Sequence, residues 1–208
     1  MPALDTLTQF FIASIILGLA PGPDNIYVLT QSAVQGRRAG VVVTLGLCTG
    51  LVLHTILVAG GVAALIATSA TLFMLLKLGG AGYLLYLAYQ AFRAEGTAIG
   101  GGTRGAVAYG YLYRRGVLMN ISNPKVSIFF LAFLPQFVEA DGVVAAQQMV
   151  VLGGVFILAT LLVFNAIALA ASYLATGLRS SRTAQVVLYR ITGAVLALLA
   201  LRLLLYQL

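Results

Sequence analysis

The sequence predicts an all-α integral membrane protein: six transmembrane helices arranged as two inverted three-helix repeats, with the first and fourth helices broken. Three observations predict it. Composition lies far outside soluble usage, with 61% hydrophobic and 8% charged residues and a mean hydropathy of +1.03. Six apolar runs reach the roughly 20 residues that cross a bilayer core about 30 Å thick. Two of those runs carry a proline break followed at once by an ionisable residue, Pro23-Asp24 in the first and Pro124-Lys125 in the fourth.

The first run, Leu7 to Gln35, is interrupted by Leu19-Ala20-Pro21-Gly22-Pro23-Asp24-Asn25. Each proline lacks a backbone donor and its ring clashes with the carbonyl four residues back, so the helix breaks there. Within lipid, the freed amides and carbonyls are tolerable only against protein or a watery cavity. An acid at that depth is costly, which makes Asp24 a functional-site hypothesis; the alternative is a kink in which Asp24 caps the second half-helix. Tyr27 and Gln31 follow at i+3 and i+7 and share a face with Asp24, a stripe expected to face a cavity.

The second run, Gly40 to Ala67, repeats Gly46, Gly50 and His54 at intervals of four, a close-packing stripe that carries His54 inward. Its imidazole is a proton-relay candidate, or equally a neutral interhelical hydrogen-bonding group. Cys48 and His54 lie about 240° apart around one helix, so they form no dyad, and no Gly-x-Ser-x-Gly elbow occurs. Enzymatic catalysis is the poorer hypothesis. One histidine and one cysteine argue against a metal site and exclude an internal disulfide, and nothing calls for a cofactor.

The remaining runs are Leu72 to Phe92, Gly116 to Val138, Gln148 to Ala175 and Val186 to Leu205. Lys77 and Arg202 sit near outer span ends, where snorkelling is expected. Asn165 in the fifth run is buried and ambiguous. The fourth run holds Asn120-Ile121-Ser122-Asn123-Pro124-Lys125, the second break. Lys77-Leu78-Gly79-Gly80-Ala81 and Arg190-Ile191-Thr192-Gly193-Ala194 provide a weaker second correspondence between the halves.

Of the twelve Lys and Arg residues, nine (Arg37, Arg38, Arg93, Arg104, Arg114, Arg115, Arg179, Arg182, Arg190) fall on one side of this topology. The opposite loops, Thr68 to Thr71 and Glu139 to Val144, carry none. By the positive-inside rule both termini face outward, and the net charge of +7 is a topology signal and not a nucleic-acid patch. The N-terminus lacks a basic n-region, so no cleaved leader is expected. The Gly-rich segment 94–111 reads as a cytoplasmic linker, making residues 1–208 a single transmembrane transporter domain with repeat halves 1–93 and 112–208. Thirteen residues separate Asp24 from Arg37 and ten separate Arg115 from Lys125. At 1.5 Å per residue, both breaks lie roughly 15 to 20 Å deep, near the midplane.

Paired broken helices at the midplane point to a transporter site, since half-helix N-termini present free amides and a positive dipole end. Asp24 and Lys125 could bind the two ends of a zwitterion, or pair with each other and only hold the halves together. The expected substrate-binding set is Pro21, Gly22, Pro23, Asp24, Asn25, Tyr27, Gln31, Asn123, Pro124 and Lys125, with Asp24 and His54 the proton-coupling candidates.

Four stretches make the chain resemble the LysE/RhtB family of bacterial amino-acid exporters. They are Pro21-Gly22-Pro23-Asp24; the glycines at 36, 40, 46 and 50 leading to His54; Lys77-Leu78-Gly79-Gly80-Ala81-Gly82-Tyr83-Leu84; and Asn123-Pro124-Lys125 with Phe133-Leu134-Pro135-Gln136-Phe137. The chain departs at Cys48, where similar homoserine exporters tend to carry glutamine. The resemblance implies efflux of an amino acid or close derivative across the bacterial inner membrane, driven by proton motive force or another coupling ion, with alternating access. Its partners would be the amino acid, protons and the lipid bilayer. The oligomeric state stays open, a homo-oligomer included. The alternatives are a carrier of another small solute or cation on the same fold, and a non-transporting membrane assembly subunit.

Overall fold

The computed structural model describes residues 2–62, 69–94, 107–138, 142–180 and 182–205. Most of the linker expected at 94–111, with Arg104, lies outside these residues, as do Glu139 and Asp141 of the expected outer loop. Helices are α1 (Leu4–Leu19), α2 (Pro23–Gln35), α3 (Arg37–Leu57), α4 (Ala70–Arg93), α5 (Tyr109–Ile121), α6 (Pro124–Ile128), α7 (Gly142–Ser180) and α8 (Arg182–Leu205). A π-helical turn, Val58–Val62, extends α3, and α6 runs on through a π-helical turn, Phe129–Phe133, and a 3-10 turn, Leu134–Phe137. No strand occurs among the described residues.

Both expected breaks are present. Between α1 and α2 the chain bends by 63°, and between α5 and the Pro124–Phe137 segment by 49°. Three helical stretches are long and apolar enough to cross a membrane: Arg37–Gly61, Thr71–Arg93 and Val143–Ala171. Each bent pair counted as one span brings the number to five among the described residues. The sixth apolar run lies within α8. At 39 residues, α7 outruns its apolar stretch and is roughly 60 Å long, twice the thickness of a bilayer core.

Two apolar clusters hold the bundle. In the larger, Phe10 of α1 meets Phe137 at 5.1 Å and Phe129 at 5.7 Å between ring centroids, and Phe129 meets Phe156 of α7 at 5.1 Å. Tilted and edge-on rings at such distances add about 0.5–1.5 kcal/mol per pair beyond burial. The smaller cluster joins Val28 of α2, Val43 and Leu47 of α3, Leu112 of α5 and Phe164 of α7. Many large apolar side chains remain outward, among them Leu4, Ile56, Leu75, Leu169 and Leu198. On a water-soluble protein such a surface would be a liability, whereas lipid accepts it.

The α3–α5 contact rests on missing side chains. A Cβ on Gly46 would overlap the Tyr113 carbonyl oxygen, and one on Gly116 would sit 2.5 Å from the Val43 carbonyl oxygen, so both positions require glycine for the backbones to approach. Gly50 likewise leaves room for the side chain of Asn120. The stripe read from sequence therefore does face inward, and it meets α5. Near the end of α8, Arg202 donates to Gln9 Oε1 at 3.1 Å and its guanidinium lies 4.7 Å from the Phe137 ring centroid.

Candidate functional site: the junction of two broken helices

The carbonyls at the end of α1 would normally accept from the amides four residues on. Ile16 O does, from Ala20 N at 3.1 Å. Leu17 O cannot, because residue 21 is proline and brings no N–H. The Lys125 ammonium takes that place, donating to Leu17 O at 3.3 Å and to Ala20 O at 2.9 Å. Asn25 serves Gly18 O in the same manner, its Nδ2 donating at 2.7 Å. A cation at a helix C-terminus also meets the negative end of the dipole. A Cβ on Gly22 would lie 3.3 Å from Lys125 Nζ, so the glycine keeps the approach open.

The second break repeats the logic. Pro124 deprives Asn120 O of its i+4 donor, and the carbonyl accepts instead from Asn123 N at 3.0 Å and from His54 Nε2 at 3.3 Å. Because a carbonyl only accepts, this contact assigns the proton to Nε2. His54 thus makes the interhelical bond that was one of its two readings; its ring also lies 5.6 Å from that of Phe130. Asn123 caps α6, with Oδ1 accepting from Lys125 N at 3.1 Å, and its Nδ2 donates to Asp24 Oδ2 at 2.5 Å. Asn165 bonds within its own helix, to Leu161 O at 2.8 Å.

The two motifs thus interlock. Asp24 and Lys125 make no direct ion pair within 4.0 Å among the described contacts; each instead reaches the opposite break. Asp24 is 3% exposed and its Oδ1 has no hydrogen-bond partner among the described residues.

A cavity of about 380 Å³ opens over this junction. Its floor is Pro21, Gly22, Pro23, Asn123, Pro124 and Lys125. Its walls come from the last turns of α4 (Leu87, Gln90, Ala91), with Ala94 beyond them, and from α8 (Tyr189, Thr192, Leu196). Six of the ten expected binding residues therefore line one space. Asp24 does not: it faces a separate space of about 20 Å³ with Asn120, Thr160 and Lys125, which borders both. Asn25 is committed to Gly18 O. Tyr27 packs against the smaller apolar cluster, and Gln31, buried, accepts from Gln35 Nε2 at 2.7 Å; neither lines the cavity. The α4 and α8 walls were missed by sequence reasoning. The only signal was the weak Gly-Ala correspondence between those helices, which pack on each other.

The family described as LysE type translocator matches residues 15–207. A homoserine/homoserine lactone efflux protein of Salmonella typhimurium (strain LT2) is 31% identical over 194 residues, covering 90% of this chain and 94% of the relative. A leucine efflux protein of Salmonella choleraesuis is 32% identical over 131 residues, 62% of each chain. An uncharacterized membrane protein of Vibrio cholerae is 33% identical over 130 residues, 62% of this chain and 63% of the relative. No solved structure matches.

Proposed function

The chain belongs to the family of LysE type translocators, membrane transport proteins and not enzymes, and on that premise we propose that it is an amino-acid efflux carrier of the bacterial inner membrane. The observation that carries this reading is the meeting of both proline breaks on the floor of one cavity, with Lys125 the one charged residue among its described lining residues. Relatives named for homoserine and for leucine efflux support an amino acid as cargo. In this reading the substrate carboxylate binds at Lys125, which has a third N–H beyond the two given to Leu17 O and Ala20 O, and at the first-turn amides of α2.

Six spans in two inverted halves complete the proposal. A two-fold axis in the membrane plane would set the second helix of each half against its mate and the third against its mate. The packing of α3 on α7 and of α4 on α8 supports this. Alternating access is supported by the asymmetry of the two sides. The cavity opens between the Arg93 end of α4 and the Arg190 region of α8, the side the positive-inside rule assigns to the cytoplasm. On the other side, Phe10, Phe129, Phe133, Phe137 and Phe156 close the bundle. Asp24, outside the cavity and with one unpartnered oxygen, suits a coupling proton better than a substrate ammonium.

Purified protein in proteoliposomes, loaded with a panel of labelled amino acids and given an imposed pH gradient, tests this. Gradient-accelerated movement of at least one amino acid is expected; movement of none, with an intact and inserted protein, overturns it.

A further inference from the structure

We propose that the space of about 20 Å³ beside Asp24 is a binding site for one water molecule, which bridges Asp24 Oδ1 to Asn120 Oδ1 and serves Asp24 in both its charged and its protonated form. The inference rests on Asp24 as the coupling group of the proposed carrier and names what surrounds it. Asp24 and Asn120 are each 3% exposed, and one side-chain oxygen of each is buried with no hydrogen-bond partner among the described residues. The other Asp24 oxygen is taken by Asn123 Nδ2. Both residues line the same space, beside Thr160 of α7 and Lys125 of α6 and among apolar side chains such as Leu17, Leu47 and Phe156.

A buried acceptor left without a donor bears the full desolvation cost of the group, so two of them around one space call for a donor. An ordered water needs about 10–15 Å³ and two to four polar partners, and this space meets both conditions. The lining favours water over a metal cation, because the Lys125 ammonium borders the space and would repel a second positive charge. Water brings two donors for the two oxygens, and its own oxygen can accept from the Thr160 hydroxyl or from the third N–H of Lys125. Water also suits a carboxyl that changes its charge. It donates to the carboxylate and, after turning, accepts from the protonated acid, whereas a fixed donor such as an ammonium serves only the first. Two neighbouring elements bring titratable groups to this junction, α6 with Lys125 and α3 with His54, whose Nε2 meets the Asn120 carbonyl. Thr160, on α7, is then a positioning residue for the water.

Three measurements on the full-length protein test this. A crystal structure that resolves ordered waters should show one water within about 2.5–3.0 Å of both oxygens. Melting should be the same in sodium, potassium and choline chloride at equal ionic strength. In proteoliposomes, Thr160→Val, which keeps the shape and removes the hydroxyl, should weaken the acceleration of amino-acid efflux by a pH gradient on the order of tenfold, about one hydrogen bond's worth. Exchange without a gradient should persist in that variant, and Thr160→Ser should keep the natural response. No water at the site, a direct hydrogen bond between Asn120 and Asp24 in its place, or stabilisation by sodium alone overturns the water site. A Thr160→Val protein that responds to the gradient as the natural one does overturns its part in coupling. The water and the melting are read without transport, so a protein that moves no amino acid loses the carrier reading while the site is still decided.

Discussion

The Lys125 ammonium donates to the Ala20 carbonyl at 2.9 Å, joining the start of α6 to the end of α1 across 105 residues of chain. Lys125 therefore completes a helix that Pro21 left short of a donor, and its described hydrogen bonds go to backbone carbonyls and not to an acid.

That relationship predicts how Lys125→Met fails. Hydrogen bonds from a charged donor are worth about 1.5–3 kcal/mol, and losing them leaves Leu17 O and Ala20 O buried without their donor. Lower thermal stability by about that amount is expected. The double variant Asp24→Asn with Lys125→Met should stay well below Asp24→Asn alone, since the carbonyls are still unserved. Complete recovery in the double variant, read by melting in detergent, would show that Lys125 exists to neutralise Asp24.

The α3–α5 contact gives a sharper steric prediction. Gly46→Ala places a methyl against the backbone carbonyl of Tyr113, which has no rotamer to move away. Overpacking of this kind costs about 1–3 kcal/mol. Gly154→Ala, where nothing lies within 4 Å, should be neutral or stabilising by up to about 1 kcal/mol. Equal melting temperatures for the two variants would refute the close approach.

Much of this was legible because proline has one unambiguous effect on a helix. The breaks and the inward Gly46-Gly50-His54 face follow from local rules. What escaped were relationships that local rules cannot reach. Helical spacing put Tyr27 and Gln31 on one face with Asp24, but it does not say which neighbour that face meets; Tyr27 met the apolar cluster around Val43 and Leu112. Asn123 read as part of a motif, and its double engagement of Lys125 N and Asp24 Oδ2 depends on a partner 99 residues away. Gln90 and Tyr189 carry no local mark at all, because a wall residue is defined only by the space it borders. The length of α7 was underestimated since hydropathy registers the part of a helix that lies in lipid and not the turns that continue beyond it.

The charge asymmetry predicts orientation. In a Cys48→Ala background, Val143→Cys, on the cation-free side, should react with an impermeant thiol reagent in intact cells, whereas Arg38→Cys should react only after permeabilisation. Both positions are exposed, so access does not limit the reaction. The reverse pattern would invert the topology and turn the cavity toward the outside.

The last prediction separates coupling from binding at Asp24. Asparagine at that position keeps the shape of the side chain and an oxygen able to accept from Asn123 Nδ2, so Asp24→Asn should fold and insert. Because Asp24 borders the small space and not the cavity, substrate affinity should change little and substrate exchange between the two faces should persist. If Asp24 is the coupling group of the proposed carrier, the acceleration of efflux by an acid exterior expected of the natural protein should be lost in this variant. A carboxylate that held the substrate ammonium would behave otherwise. Its loss would remove a charge-assisted contact worth about 1.5–3 kcal/mol and weaken binding on the order of tenfold or more, with exchange falling alongside. Equilibrium binding, exchange and gradient-driven flux measured on one preparation distinguish the two outcomes, and a variant that keeps its response to the pH gradient would leave Asp24 as no more than the acceptor that fastens Asn123.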